Sequence, residues 1–372
     1  MSYDSSIPKE GSNISTVAYP VSPEISDVQI KEIADLEIEI LAPGIMVARN
    51  AFDPRQDLIL PHIDSRAEAA HANRWTWIED ESGNKFGINE DGFRYRPEDV
   101  PNTPVRILDP VNSETKSDIK DYFEYLEEQI YKALIKYIDQ YPLMVGSIWW
   151  KTRGHVLRYG DGGILGCHAD NDTNYKVTNG VRYMPRGMVA ARQTCGALLY
   201  LNDCVSSEEE LDGKNFTGGN LSFVHLNVSY EPKKGDIIFF PTNYIASHQV
   251  SKMGKGVRYS YLTFFGQGAS DLAANVVISE PDQSFEWCPP VWFNNIYDDY
   301  EKYCKSEYSI WSNPQKYNLE LGWNPVYQGR EVAQYNTTHE TIELDTSNSA
   351  IDNAVNMDLP EGPCGTDPQI IG

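Results

Sequence analysis

Basic residues are scarce in this 372-residue sequence, which has 31 Lys and Arg against 54 Asp and Glu. The formal net charge of -23 repels phosphate groups and so argues against nucleic acid or an anionic membrane surface as a partner. From Glu331 to Gly372 there is no Lys or Arg at all. We expect residues 331–372 to form a largely extended acidic tail.

Long apolar runs are also missing. No stretch approaches the roughly 18 apolar residues of a membrane span, and the polar start MSYDSSIPKEG lacks the pattern of a signal peptide. The six cysteines form no CxxC pair and have no regular spacing, which argues against a disulfide scaffold. These features lead us to expect a cytoplasmic protein with free thiols.

Apolar residues make up 41% of the chain, enough for a substantial core. The clearest helix is predicted over 117–140, where one apolar stripe recurs every three or four residues and Pro142 follows. A second helix is predicted over 54–73, interrupted by Pro61. Residues 1–36 read as a flexible arm that ends in a short helix near 27–36, and 79–104 read as a long surface loop rich in turn formers.

After the long helix the pattern changes to short β-rich runs separated by Gly, Asn and Asp. The predicted strands are 146–150, 155–159, 197–202, 220–226, 236–240 and 257–265. Many short strands separated by turn residues favour a mainly β fold with supporting α-helices, arranged as an antiparallel sandwich or barrel. In the last run Arg258, Ser260, Leu262 and Phe264 share one face, and the alternate residues share the other.

We therefore expect a main domain over 37–270, with helical support at 117–140 and a β core at 146–268. Residues 271–330 are rich in aromatics and are predicted to pack on that core as an extension.

Chemistry-bearing residues are few, because the sequence has only seven histidines. His168-Ala169-Asp170 forms an HxD triplet, and alternation along a strand would bring its imidazole and carboxylate to one point. His248 follows the apolar run DIIFF and could supply a third ligand from a neighbouring strand. Two histidines and one carboxylate leave adjacent positions open on Fe(II). An HxD triplet alone, however, is most often structural.

Arg258 follows His248 by ten residues, at the start of the alternating strand. Its presence favours a functional metal site over a structural HxD triplet. A buried guanidinium without an anion is costly. A 2-oxo acid that chelates iron leaves its second carboxylate free, and an arginine fork is the natural partner for it.

Five segments in order extend the pattern. They are LRYGDGGILGCHAD at 157–170, ALLYLND at 197–203, FTGGNLSF at 216–223, EPKKGDIIFF at 231–240 and SHQVSKMGKGVRYSYLTFF at 247–265. Their order and spacing resemble the prolyl-4-hydroxylase-like branch of the Fe(II)/2-oxoglutarate dioxygenases. The resemblance implies a double-stranded β-helix core, also called a jelly roll or cupin-like fold.

The resemblance also implies roles for single residues. His168, Asp170 and His248 would bind Fe(2+), Arg258 and Tyr200 the distal carboxylate of 2-oxoglutarate, and Tyr159 would lie near its chelating end. The implied reaction uses O2, is supported by ascorbate, hydroxylates an unactivated C–H bond of a prolyl or other peptidyl residue, and releases succinate and CO2. Asp170 occupies the position that related halogenases leave open, which favours hydroxylation.

The connection from Asp170 to Thr194 departs from the family pattern, because it is long and basic. Lys176, Arg182, Arg186 and Arg192 stand in it against a single acid, Asp172. It is either an exposed loop that pairs with acidic surface or a lid that contacts a carboxylate-bearing acceptor.

Two alternatives stay open. The acceptor could be a free amino acid or another small molecule, and the domain could be a catalytically silent jelly roll that only binds a partner. The other histidines suggest no ligation: His155 and His225 are predicted to be structural, and His62, His71 and His339 have no companion ligand. The oligomeric state is not encoded in any motif.

Overall fold

A computed structural model describes twelve stretches of the chain. They are residues 25–72, 76–88, 94–97, 104–108, 110–148, 150–152, 154–172, 176–178, 181–183, 192–267, 290–292 and 296–312. The chain divides into a unit of residues 1–326 and a unit of residues 327–372, and every described residue belongs to the first.

The described residues contain α-helices and short strands, which we number in chain order. The helices are α1 (Asp27–Asp35), α2 (Gln56–Ala72), α3 (Ser117–Gln140) and α4 (Ile296–Cys304). The strands in the first half of the chain are β1 (Glu37–Ala42), β2 (Ile45–Arg49), β3 (Thr76–Glu79), β4 (Lys85–Ile88), β5 (Arg94–Tyr95), β6 (Val105–Ile107), β7 (Trp150–Thr152), β8 (His155–Tyr159), β9 (Leu165–His168), β10 (Lys176–Thr178) and β11 (Val181–Tyr183). The remaining strands are β12 (Gln193–Tyr200), β13 (Cys204–Val205), β14 (Phe216–Gly218), β15 (Leu221–Phe223), β16 (Val228–Tyr230), β17 (Ile237–Pro241), β18 (His248–Val250), β19 (Met253–Gly256), β20 (Arg258–Gly266) and β21 (Pro290–Trp292).

Helix α3 has the predicted bounds and buries the predicted stripe, so that prediction is confirmed. Helices α1 and α4 both pack on α3, because Ile33, Tyr300 and Tyr303 are buried in the same core cluster as its apolar face. The helix predicted near 27–36 is therefore present and packed. The rest of the predicted flexible arm, residues 1–24, lies outside the described residues. Helix α2 continues through Pro61 without interruption.

The major sheet has nine strands and is antiparallel throughout. Its main path runs β1-β2-β17-β12-β20-β7-β21, while β8 pairs with β20 and β6 pairs with β8. Its strands are almost fully buried at the centre, since β20 has every residue buried. Both faces of the central strands are therefore covered.

Alternation divides those central strands between two cores. On β20, Tyr259, Tyr261 and Phe265 join the cluster that contains α2 and α3, whereas Leu262 and Phe264 join a second cluster. The predicted two-faced pattern of this strand is confirmed. The second cluster also contains Leu221 and Phe223 from a four-stranded sheet ordered β16-β15-β18-β9. This smaller sheet therefore covers the face of the major sheet that is turned away from the helices.

The prediction of a mainly β fold with supporting α-helices is confirmed. Whether the two sheets close into a double-stranded β-helix, or jelly roll, stays a prediction. Residues 290–292 add β21 to the edge of the major sheet beside β7, and α4 packs on α3. The domain boundaries and the acidic tail at 331–372, which lies outside the described residues, remain predictions.

Two local predictions were wrong. The loop predicted over 79–104 contains β4 and β5, which form a three-stranded sheet with β3. Asp80 makes this hairpin possible, because its carboxylate accepts hydrogen bonds from the backbone N–H groups of Ser82 and Asn84. The strand predicted over 146–150 is a 3-10 helix over Pro142–Ser147, followed by β7. None of the described helices is long and apolar enough to cross a membrane.

Candidate active site

Two neighbouring strands of the smaller sheet place the two predicted histidine ligands side by side. β9 and β18 are antiparallel, and His168 is the direct cross-strand partner of His248. Their ring centroids lie 4.5 Å apart. Residues separated by 80 positions in the chain thus meet because directly opposed side chains of a strand pair share one face.

Asp170 completes the cluster from a turn and not from the strand itself, because β9 ends at His168. The turn is held by the backbone N–H of Asn171, which donates to the carbonyl of Thr242 at 3.1 Å. One carboxylate oxygen of Asp170 lies 3.3 Å from Nε2 of His168, and the other lies 3.7 Å from Nε2 of His248. The three ligand atoms all lie within 4.8 Å of one another. Among the described residues this is the cluster of His, Cys, Asp and Glu that fits a metal ion.

Backbone carbonyls select the tautomer of both histidines. Nδ1 of His168 lies 2.8 Å from the carbonyl of Gly166, and Nδ1 of His248 lies 3.1 Å from that of Ala246. A carbonyl only accepts, so each Nδ1 carries the proton and donates it. Nε2 of each neutral ring is left as a lone-pair donor, the form in which imidazole binds a metal.

The electrostatics of the cluster also favour metal binding. Burial lowers the pKa of His248, which favours the neutral ring. Burial alone would raise the pKa of Asp170, but the two histidines and Arg106 lower it below its usual value and keep the carboxylate charged. The pKa of His168 is raised, because Asp170 outweighs the effect of burial. A divalent cation would replace those protons as the partner of the carboxylate.

Arg258 lies at the start of β20 and is only 1% exposed. Its Nη2 donates to the hydroxyl of Tyr200 at 3.1 Å. The guanidinium carbon lies 4.8 Å from the ring centre of Tyr159 and 5.1 Å from that of Tyr200. Sheet register explains the arrangement, because Tyr159 is the cross-strand partner of Arg258. Tyr200 lies one strand away on β12, opposite Ser260.

The site as a whole fits a metal and an anionic co-substrate. Within the described part of the chain, Nη1 and Nε of Arg258 and Oδ2 of Asp170 are buried without a hydrogen-bond partner. A buried cation with two open donors is costly unless an anion accepts from them. A carboxylate between Arg258 and the hydroxyl of Tyr200, and a metal on Asp170, would satisfy these atoms.

The Gly218-Gly219 connection from β14 to β15, two strands that lie in different sheets, is close to this arginine. Gly218 and Gly219 have φ of 74° and 67°, values that disfavour other residues. A Cβ on Gly219 would lie 2.3 Å from the sulfur of Met253 and 3.5 Å from Cδ of Arg258. This connection therefore packs closely on the stem of Arg258 and limits where its guanidinium can go.

Most of the predicted basic lid lies outside the described residues. Residues of β10 and β11 form a hairpin, but the side chains of Lys176 and Arg182 lie outside the described part, as does Arg186. Arg192 is half-buried, and its carbonyl accepts from the backbone of Gln267. The lid stays a prediction.

Among the other histidines, the described side chains of His62, His155 and His225 are not part of the cluster. His155 is buried on β8, and His225 is exposed in the 3-10 helix Val224–Leu226. His62 contacts the carbonyl of Pro110 at 2.7 Å. The side chain of His71 and all of His339 lie outside the described residues.

One residue near the metal cluster was not anticipated from the sequence. The charge of Arg106, on β6, contributes to the lowered pKa of Asp170 and opposes the rise in the pKa of His168. A lone arginine in a three-residue strand carries no motif, so no local signal marks it. Only the pairing of β6 with β8 brings it to the site.

A mainly β chain with a two-histidine, one-carboxylate cluster and a buried arginine beside it has the features of a non-haem iron oxygenase. Residues 154–266 match the family model described as the 2OG-Fe(II) oxygenase superfamily. These residues include the whole metal cluster, Tyr159, Tyr200 and Arg258. This part of the chain matches that superfamily, and the match supports the class of 2-oxoglutarate-dependent dioxygenases.

Several solved structures are distantly similar. The viral collagen prolyl hydroxylase of Paramecium bursaria Chlorella virus-1, solved with 2OG, is 14% identical over 61% of this chain and 97% of its own, with a TM-score of 0.34. A prolyl-4-hydroxylase of Pseudomonas putida is 15% identical over 65% and 98%, with a TM-score of 0.33. A Trichoplax adhaerens prolyl hydroxylase in complex with a hypoxia inducible factor peptide fragment is 14% identical over 68% and 91%, with a TM-score of 0.37. No curated protein sequence matches the chain.

Proposed function

We propose that this protein hydroxylates an unactivated C–H bond of a prolyl or other peptidyl residue, consuming 2-oxoglutarate and O2 and releasing succinate and CO2. The observation that carries the proposal is the buried, incompletely paired guanidinium of Arg258 beside the cluster of His168, Asp170 and His248. A metal site alone would serve many functions. A metal site with an anion-binding arginine in the same cavity fits a chelating dicarboxylate.

Fe(II), when bound, supplies the activation of O2 and the oxidation of the co-substrate. The residues of the chain bind and orient. His168, Asp170 and His248 would hold the metal, and the backbone carbonyls of Gly166 and Ala246 fix the imidazole orientation. Arg258 and Tyr200 would bind the far carboxylate of 2-oxoglutarate and so orient the co-substrate in the site. Phe223 and Phe240 pack around His248 and exclude water.

The ring of Tyr159 lies 4.8 Å from the guanidinium carbon of Arg258, opposite it across the strand pair. Its place near the chelating end of 2-oxoglutarate stays a prediction. We propose that Tyr159 orients Arg258, through a cation–π contact worth about 0.5–2 kcal/mol. Ascorbate is proposed as a supporting reductant.

The motif order of the prolyl-4-hydroxylase-like branch supports a peptidyl acceptor. A free amino acid or other small molecule is the second candidate, because the long connection between Asp170 and Thr194 has no counterpart in the family pattern. A catalytically silent binding module would not need the complete ligand set together with Arg258.

The test is release of succinate from 2-oxoglutarate with Fe(II), ascorbate and a panel of acceptors. The panel contains proline-rich peptides, free proline and other free amino acids. We expect turnover that His168→Ala abolishes, with a peptide preferred. If the wild-type protein binds no iron and forms no succinate with any acceptor, the domain is a silent module.

A further inference from the structure

Tyr230 contacts one member of the pair formed by Arg258 and Tyr200. It ends β16, at the edge of the smaller sheet, and only 3% of it is exposed. Its ring centre lies 5.4 Å from that of Tyr200. Tyr200 in turn accepts the hydrogen bond that Arg258 donates, and its ring lies beside the guanidinium. A side chain of the smaller sheet thus supports one that the major sheet brings to the candidate site.

A single buried residue, Asp236, holds both tyrosines. One oxygen of its carboxylate accepts a hydrogen bond from the hydroxyl of Tyr230 at 2.8 Å, and the other accepts from the backbone N–H of Asn50 at 2.9 Å. The backbone carbonyl of Asp236 accepts from the N–H of Tyr200 at 3.1 Å, and the carbonyl of Tyr200 accepts from the N–H of Gly235 at 3.0 Å. The side chain of one tyrosine and the backbone of the other are therefore fixed by the same short segment.

Arg49, on β2, holds Tyr230 from a third direction. Its guanidinium carbon lies 5.4 Å from the ring centre of Tyr230. Arg49 is paired with the carboxylates of Asp236 and Glu39, whereas Nη1 and Nε of Arg258 have no hydrogen-bond partner. The groups that fix Tyr230 are thus occupied with one another, and the open donors lie on the other arginine.

Tyr200 depends on such support at its ring. Among the described residues its hydroxyl has one hydrogen-bond partner, Nη2 of Arg258. A binding group must stay within about 0.5 Å of its productive position to keep its hydrogen bonds to a ligand, and packing is what holds it there. The ring of Tyr230 supplies that packing for Tyr200.

We propose that Tyr230 is a positioning residue for the co-substrate, because it holds the ring of Tyr200 where the hydroxyl and the guanidinium of Arg258 meet the same carboxylate. This inference rests on the proposed function. Tyr230 acts through its ring, and its hydroxyl anchors that ring to Asp236. Loss of the ring should therefore weaken recognition of the far carboxylate and spare the chelating end.

Two 2-oxo acids separate the two ends of the co-substrate. 2-Oxoglutarate and 2-oxopentanoate share the chelating end and the chain length, but 2-oxopentanoate has a methyl group in place of the second carboxylate. The ratio of their Kd values measures recognition of that carboxylate. Calorimetry under nitrogen on protein loaded with Mn2+ gives the Kd of 2-oxoglutarate, and competition with it gives the Kd of 2-oxopentanoate. No turnover is needed.

The variants separate the ring from the hydroxyl. Tyr230→Leu removes the ring, and Tyr230→Phe removes only the hydroxyl. The matched control is Tyr137→Leu. Tyr137 is also buried, donates its hydroxyl to the carbonyl of Gly44 at 2.8 Å, and stacks on Phe239, but in the cluster that contains the helices. Urea denaturation gives the stability that each variant loses.

We expect the wild type to prefer 2-oxoglutarate by about tenfold or more, as charge-assisted hydrogen bonds to a carboxylate require. Tyr230→Leu should reduce that preference by about threefold to tenfold, the loss expected from a missing hydrogen bond to Tyr200. Tyr230→Phe should retain most of the preference, since the ring stays. Tyr137→Leu should lose a similar amount of stability and keep the whole preference. If Tyr230→Leu does not fold, Tyr230→Met, whose flexible side chain fills more of the space, replaces it.

A double variant shows whether the effect passes through Tyr200. In a Tyr200→Phe protein the hydroxyl is already absent, so Tyr230→Leu should reduce the preference little further. Two independent effects would instead multiply, as is usual for residues that do not interact.

A Tyr230→Leu protein that keeps the wild-type preference overturns the inference. So does an equal loss of affinity for both acids, because loosened packing alone would weaken both. Reductions that multiply in the double variant, or a reduction of the same size in Tyr137→Leu, overturn it as well. The proposed function is judged by the wild type: without a preference for 2-oxoglutarate there, the carboxylate site itself is wrong. If the wild type has that preference and Tyr230→Leu keeps it, the inference fails alone.

Discussion

Arg258 and Tyr200 come from adjacent strands and meet through one hydrogen bond inside the protein. A chain folded only for stability would place apolar groups there, since an unsatisfied buried donor costs about 1–3 kcal/mol. Burial raises the pKa of Tyr200, so its hydroxyl keeps its proton despite the neighbouring guanidinium. The pair therefore presents N–H and O–H donors together, which suits a carboxylate.

Replacing Arg258 by Gln should raise the KM for 2-oxoglutarate by about 10- to 100-fold, because hydrogen bonds to a charged group contribute about 1.5–3 kcal/mol. Tyr200→Phe removes a hydroxyl and should raise it less, by about 3- to 10-fold. Initial rates of succinate formation give both values. Iron content is the control and should stay at the wild-type level, since neither residue is a ligand. An unchanged KM in Arg258→Gln would contradict the assignment of the carboxylate site.

At the scale of single residues, the sequence predicted the candidate ligands that the structure brings together, because each belongs to a spaced motif. His168 and Asp170 are two apart, and Arg258 follows His248 by ten residues on a strongly alternating strand. We expected strand alternation to place the carboxylate of Asp170 beside His168. That explanation was incomplete, because Asp170 lies in the turn that follows β9. Arg106 was not foreseen, because its position depends on a pairing between β6 and β8 that joins Arg106 to Leu157, 51 residues further along the chain.

At the scale of elements, the connection between β14 and β15, which joins two different sheets, shows how backbone geometry supports the site. Gly218 has φ of 74°, and a Cβ there would lie 2.6 Å from the carbonyl oxygen of Lys252. The obstacle is backbone and cannot rotate away. Gly213 has a similar φ of 85°, but a Cβ at that position would meet no other atom within 4 Å.

This pair of glycines separates conformational strain from collision. Gly213→Ala should lower the free energy of unfolding by about 1 kcal/mol through strain alone. Gly218→Ala should lower it by about 2–4 kcal/mol, because the collision adds to the same strain. Urea denaturation measures both. If both variants lose the same free energy of unfolding, the connection between β14 and β15 shifts to relieve the collision and adds no further loss of stability.

The segment that follows α4 is attached to α3 through one buried carboxylate. Asp139 accepts hydrogen bonds from the hydroxyl of Ser309 at 2.6 Å and from the backbone N–H of Ile310 at 3.0 Å. Its own carbonyl accepts from the indole N–H of Trp311 at 2.8 Å. Burial nevertheless raises the pKa of Asp139, because desolvation outweighs these hydrogen bonds.

A raised pKa means that the folded protein holds this proton more tightly than the unfolded chain, whose Asp titrates near about 3.9. The stabilisation is complete below that value and is lost as pH rises through the raised pKa. The free energy of unfolding of the wild type, relative to Asp139→Asn, should therefore fall as pH rises above about 4. Urea denaturation across this range measures the difference, and Asp121→Asn, at an exposed position of α3, should show no such fall. A difference that rises with pH would contradict the direction.

Elements with a strong period were predicted well, and elements made by turns were not. Helix α3 and strand β20 each keep one pattern over at least nine residues. The hairpin of β3 and β4 depends on one aspartate that caps a tight turn, and its Gly, Asn and Asp residues also suit an irregular loop. Residues 142–147 contain Val and Met, typical of strands and cores, yet Pro142 starts a 3-10 helix there.

At the scale of the whole described unit, the two faces of the central strands have different roles: one face packs on the helices, and the other carries residues of the candidate site. The helix-facing side packs against α2 and α3 and has no part in the metal cluster. The other side carries Tyr159, Tyr200 and Arg258 towards the smaller sheet with its histidines. Neighbouring residues on one strand therefore have different roles, in core packing or in the candidate site, and β17 gives the clearest example. Phe239 stacks on Tyr137 at 5.2 Å, whereas Phe240 lies edge-on to His248 at 4.9 Å.

Phe239→Leu and Phe240→Leu should each lower the free energy of unfolding by about 1–3 kcal/mol, because both side chains are buried and lose similar contact area. Only Phe240→Leu should weaken metal binding, by about tenfold, since it loosens the packing that fixes the ring of His248. Calorimetric titration with Mn2+ and urea denaturation measure the two effects on the same proteins. If both variants lose the same metal affinity, a packing change on the helix-facing side of the sheet also reaches the metal cluster. Strand alternation would then not separate the residues that stabilise the fold from those that support the site.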